Sequence, residues 1–75
     1  PASADFADSE FYGWLSLNAH KFGFILRYPA DKTEQTGHAF EPWHLRFVGR
    51  YHAFAISSSG LCFEEYLEAM RDTNQ

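Results

Sequence analysis

Glu41 and His44 stand three residues apart in EPWHLRFVG, residues 41–49, at the head of an otherwise apolar segment. A histidine ligand beside a glutamate is the working pair of zinc hydrolases. The metal acidifies a water molecule and the carboxylate takes its proton. Spacing alone argues against convergence here, because positions i and i+3 of a regular strand point to opposite faces. Pro42 changes that expectation. It fixes its own φ, holds Glu41 extended and removes an amide from any ladder, so a turn or bulge at the strand mouth can re-aim the carboxylate. The bland alternative, a solvated Glu41 and a hydrogen-bonded His44, outweighs the catalytic one on spacing, since catalytic zinc takes three protein ligands.

The remaining candidates do not complete a site. His20 falls where positive charge complements the end of a helix. His52 reads as a surface or half-buried helix residue. His38, three residues before Glu41, can reach the same cleft and is a candidate substrate contact, as is Trp43. Ser57, Ser58 and Ser59 end a helical segment and form no nucleophile elbow. There is no His-Glu-x-x-His helix and no Gly-rich phosphate loop. Cys62 is the single cysteine, which excludes an internal disulfide and a Cys-based zinc cluster. It reads as a small buried residue at a cap position, where it weakens the cap by up to about 1 kcal/mol. Trp14 and the other large aromatics read as core.

The elements that must position these residues follow from periodicity. Residues 6–23 read as a helix capped by Asp8 or Ser9, with Glu10 in its first turn and Gly23 as its stop. Residues 24–28 read as a strand ending at Pro29, and 29–40 as a loop of the length that often borders functional sites. Residues 43–49 form a second strand, with His44, Arg46 and Val48 on one face and Trp43, Leu45 and Phe47 on the other. Residues 50–60 read as a short helix ended by Gly60. Residues 62–72 read as a terminal helix with Phe63, Tyr66, Leu67 and Met70 on one face. The class is α+β.

Composition sets the outer bounds. Seventy-five residues make at most one small domain, and a chain so short buries only about 60% of its unfolded surface. Hydrophobic residues at 45% and aromatics at 19% exclude a disordered segment and suggest packing against further polypeptide. A net charge of −4 gives no electrostatic basis for gripping nucleic acid. No run approaches the roughly 20 apolar residues that span a bilayer, and no signal-peptide pattern is present. The chain begins at Pro1, a start compatible with a processed product or a fragment.

YGWLSLNAHKFGFILRYPADKTEQTGHAFEPWHLRFVG, followed by GLCFEEYL, resembles the C-terminal part of the VanY-type D-alanyl-D-alanine carboxypeptidases, zinc peptidases of the LAS group. The likeness runs from about Phe6 to Leu67 through ordered blocks: a Trp-Leu helix, FGF…RYP, a Thr-Gly loop, EPWH and a final GL…EEYL helix. It implies a partial α+β domain over residues 1–75, an antiparallel sheet flanked by helices with the site in a cleft. It further implies that Glu41 is the catalytic base and His44 a zinc ligand. The substrate would be a peptidoglycan stem peptide ending in D-Ala, cleaved by D,D- or L,D-specific hydrolysis.

The departures shape these expectations. The family takes its other two ligands, a His and an Asp, from a Ser-x-His-x-x-Gly-x-Ala-x-Asp segment that these 75 residues do not contain. Ala4-Asp5 within ASADF lacks the accompanying His. One zinc ion would therefore find one ligand here. The expected partner is the N-terminal half of the domain or a second copy of the chain, without which the chain is inactive. The resemblance implies a bacterial cell-envelope or extracytoplasmic parent protein, with a cytoplasmic one also open. The alternative is a non-catalytic remnant of the same fold that binds cell-wall peptides.

Overall fold

The computed structural model describes residues 4–73. Residues 2 and 3 of the ASADF stretch lie outside them. A 3₁₀ turn, Ala4–Asp8, leads into helix α1, Glu10–Asn18. Ser9 is the N-cap: its hydroxyl oxygen accepts from the Tyr12 amide at 3.1 Å, satisfying one of the helix's orphan donors. A second 3₁₀ turn, Ala19–Phe22, ends at Gly23. The helix expected over 6–23 is thus three segments. Its register tightens on both sides of α1, as short helix ends commonly do.

Strand β1, Phe24–Tyr28, pairs antiparallel with β2, Glu41–Phe47. The connection is not the plain loop expected over 29–40. It contains a 3₁₀ turn, Ala30–Lys32, and one turn of helix, α2, Thr33–Thr36. Four residues are too few for a hydrophobic period to betray a helix in the sequence. Helices α3, Arg50–Ser59, and α4, Phe63–Thr73, complete the chain and match their expected spans closely. The architecture is α+β, a two-stranded antiparallel sheet flanked by helices.

Gly23 closes the end of the hairpin away from α2. Its carbonyl accepts from the amides of Val48 at 2.8 Å and Gly49 at 3.1 Å, tying the exit of β2 to the start of β1. Its φ of 88° lies in the left-handed region, and a Cβ there would stand 2.6 Å from Phe47 Cε1. The positive φ favours glycine, and a Cβ would also push the exposed Phe47 ring aside.

The core is small. Ile25, Ala53 and Ile56 are buried together, with Val48, Phe63 and Tyr66 packed against them. Arg46 and Val48 turn toward Phe63 and this core, as strand alternation predicts. No residue of α1 is buried. Trp14, expected in the core, is 49% exposed, and Phe11, Leu17 and Phe22 of the same region are more so. Their spacing is that of a packing face, but the described residues place nothing over it.

Helix α4 is held by charge as well as by packing. Arg27 donates to both oxygens of Glu64, at 2.9 and 2.8 Å, and Lys32 meets Glu65 at 3.0 Å. Glu65 also accepts from the Cys62 amide at 3.0 Å, so the first turn is capped by a carboxylate three residues on. That bond makes up for the poor capping side chain of Cys62, whose own thiol is buried and pushed up in pKa by that burial. Arg27 holds the Glu64 carboxyl below the usual range. The Cys62 amide, then Lys32, do the same for Glu65.

Depressed carboxylate pKa values stabilise the fold above the unfolded value of about 4.3, and that stabilisation is lost as pH falls through the folded values. We therefore expect the thermal midpoint to be level above about pH 5 and to drop below about pH 4.3. Glu64→Gln should flatten part of that drop; an unchanged pH profile in this variant would contradict the role given to the pair. Gly23→Ala should cost about 1–3 kcal/mol in denaturant unfolding. A neutral result would refute the constraint described for this corner.

Candidate active site

The pairing of the two strands brings the candidate residues together. Phe24, Ile25 and Leu26 pair in regular register with Phe47, Arg46 and Leu45. The next pair is Tyr28 with Glu41. From Leu26 to Tyr28, β1 advances two residues while β2 advances four, from Leu45 to Glu41. The extra residues of β2 must leave the regular ladder. Pro42 sits in this stretch, fully buried and without an amide to donate, which suits an irregular position.

The consequence is convergence where a regular strand would give divergence. His44 Nδ1 and Glu41 Oε1 are 3.1 Å apart. The side chains are 46% and 30% exposed, so the pair is open to an incoming ligand. A neutral imidazole keeps one lone-pair nitrogen, and the carboxylate accepts protons or hydrogen bonds. The pair therefore offers one metal-ligand nitrogen beside one base.

Tyr28 is the residue around which the cluster is built. Its ring lies edge-on to His44, with centroids 4.9 Å apart, and is stacked on His38 at 4.2 Å. His38 is thus carried to the same place as Glu41 and His44. It follows Gly37, which closes α2 in the left-handed conformation, and its amide donates to Thr36 Oγ1 at 3.1 Å. Trp43 lies within the irregular stretch and is 39% exposed. No catalytic motif in the sequence marks Tyr28. The available signal was its place at the end of a strand, immediately before Pro29 and on the rim of the functional-length loop.

The other histidines lie elsewhere. His52 Nδ1 is 2.6 Å from the Tyr66 hydroxyl and links α3 to α4, a half-buried structural role. The His20 ring lies 6.2 Å from that of Phe54. Ser58 and Ser59 donate back to the carbonyls of Phe54 and Ile56 within α3, the usual behaviour of helical serines.

Among the described residues no three of His, Cys, Asp and Glu stand close enough to hold a metal ion together. Catalytic zinc takes three protein ligands, so the residues present fit one position of such a centre and do not close it.

Known carboxypeptidases match much of the chain in sequence and in fold. The family model for VanY, D-alanyl-D-alanine carboxypeptidase, matches residues 2–50. A D-alanyl-D-alanine carboxypeptidase of Enterococcus faecalis (strain ATCC 700802 / V583) is 58% identical over 59 residues, covering 79% of this chain and 22% of that protein. The LdcB LD-carboxypeptidase structure superposes with a TM-score of 0.87 at 41% identity, covering 91% of this chain and 32% of that one. A mutant of the vancomycin-resistance D,D-pentapeptidase VanY, solved in complex with Zn(II), gives a TM-score of 0.76 at 59% identity, covering 77% of this chain and 33% of that one. The chain spans about a fifth of the length of the curated relative and about a third of each solved chain. With two-thirds of its length matched by the family model and its fold matched at these identities, the chain belongs to the VanY D-alanyl-D-alanine carboxypeptidase family.

Proposed function

We propose that this chain forms the portion of a zinc-dependent D,D-carboxypeptidase domain that carries the general base, Glu41, and one metal ligand, His44. The substrate is a peptidoglycan stem peptide ending in D-Ala, and the bond cleaved is its terminal peptide bond. The observation that carries this reading is the 3.1 Å approach of Glu41 to His44 across an irregular stretch of β2, in a chain of this family.

A zinc ion bound at His44 and at two further ligands would polarise the scissile carbonyl and acidify water. Glu41 would take the proton of the attacking water and return it to the leaving amine, so one carboxylate would serve as base and then as acid. His38, stacked on the same Tyr28 that meets His44, and the exposed Trp43 contact the substrate. The ligands that complete the centre, a His and an Asp, belong to a complementary polypeptide: the rest of the domain, or less simply a second copy of the chain. The unburied apolar face of α1 supports this, because Phe11, Trp14 and Leu17 give such a partner a surface to cover. A substrate of this kind supports a cell-envelope or extracytoplasmic working protein, with a cytoplasmic one also open.

The 75-residue chain with zinc and a peptide ending in D-Ala-D-Ala should show no turnover above background. Adding a polypeptide that carries the His and Asp ligands should restore it. Glu41→Gln in the restored assembly should lower kcat by about 10²–10⁴-fold with zinc retained, whereas His44→Ala should lose both zinc and activity. Robust turnover by the chain alone, or an active Glu41→Gln assembly, would overturn the assignment. Peptide binding that ignores both chelation and Glu41 would instead identify a non-catalytic wall-peptide binder.

A further inference from the structure

We propose that Tyr28 is a positioning residue for the imidazoles of His44 and His38, and that Arg27 and Glu64 hold Tyr28 for that task; this rests on the place given to His44 above. Tyr28 is the point where three interactions meet. Its ring stacks on His38 at 4.2 Å with planes 28° apart, and meets His44 at 4.9 Å with planes 85° apart. The Arg27 guanidinium carbon lies over the same ring, 4.7 Å from its centroid. Tyr28 is also the residue that pairs with Glu41 beyond the register step.

The need for such a support follows from exposure. His44 is nearly half exposed, and a single hydrogen bond from one ring nitrogen to a carboxylate leaves the imidazole free to swing. An aromatic wall against the ring removes that freedom without using a ring nitrogen, so the metal-binding nitrogen stays available. The geometry needed of a ligand or base is narrow, and its supporting residues are what fix it.

Tyr28 is in turn fixed from α4. Glu64 and Glu65 are consecutive on the first turn of that helix. Glu64 grips Arg27 through two parallel hydrogen bonds, 2.9 and 2.8 Å long, and Glu65 holds Lys32 at 3.0 Å. The two cations lie on either side of Tyr28 in sequence. A guanidinium held at both ends of its fork cannot rotate, which makes it a fixed lid on the tyrosine ring. Arg27 also lies 5.1 Å from the Phe63 ring, so the same side chain is braced by the helix's first apolar residue. The path runs from Glu64 through Arg27 and Tyr28 to His44, across 37 residues of sequence at its first step.

Histidine ring resonances of the 75-residue chain test this without any metal or turnover. The ring current of Tyr28 should displace the His38 and His44 carbon-bound proton signals, and Tyr28→Leu should abolish both displacements. Glu64→Gln and Arg27→Lys should reduce them while His20 stays unmoved. His52, bonded to Tyr66 on α4, reports whether that helix remains docked. If its signal shifts as well in Glu64→Gln, Tyr28→Leu decides, since it leaves both ion pairs intact. In the complemented enzyme Tyr28→Phe should keep at least half of wild-type kcat, whereas Tyr28→Leu should lose about tenfold with KM little changed. His38 and His44 signals indifferent to Tyr28→Leu would overturn the proposal. Displacements that behave as expected in an assembly that never turns over would refute the carboxypeptidase reading and leave the positioning role standing.

Discussion

The site depends on one irregularity in strand pairing. If β2 continued the register set by Phe24, Ile25 and Leu26, Glu41 and His44 would project to opposite faces and no common substrate could touch both. The four-against-two step between Leu45 and Glu41 breaks that rule. A proline in the step costs the ladder nothing it would otherwise gain, because the residues there are already out of pairing. Burial of Pro42 then anchors the departure, so the bend is part of the packed structure and not a frayed strand end. A small local violation of sheet geometry is thereby exchanged for a carboxylate and an imidazole in contact.

Everything else serves to hold that bend. The regular half of the hairpin is locked at Gly23, whose carbonyl takes two amides and whose backbone is left-handed. The irregular half is held by Tyr28, and Tyr28 by Arg27, which Glu64 of α4 grips. The core beneath is only a few residues, so directional contacts carry an unusual share of the order. A small domain with so little buried surface is marginal on hydrophobic burial alone. The Arg27–Glu64 pair, with side chains 17% and 33% exposed, is worth about 1 kcal/mol at most, but it fixes orientation as well as energy.

Much of this was legible in the sequence, for local reasons. Ser9 as a cap, Gly23 and Gly60 as helix stops and the apolar stripe of α4 all act within a few residues of themselves. Pro42 announced that the strand would not be regular. What could not be read was long-range. The register that opposes Tyr28 to Glu41 joins residues of two strands across a connection containing α2, and no periodicity within either strand encodes it. Nothing local therefore marks Tyr28 beside a glutamate and a histidine, although it meets His38 and His44 and pairs with Glu41. The exposed Trp14 misled in the opposite direction. Its spacing is that of a buried face, and the described residues do not supply the surface that would bury it.

The central claim is that the pairing step places Glu41 against His44, and inter-strand proton contacts measured by NMR on the 75-residue chain test it most directly. The account predicts backbone contacts of Tyr28 with Glu41, together with those of Leu26 with Leu45. Continuation of the regular ladder would instead put Trp43 opposite Tyr28. Contacts of Tyr28 with Trp43, and none with Glu41, would contradict it.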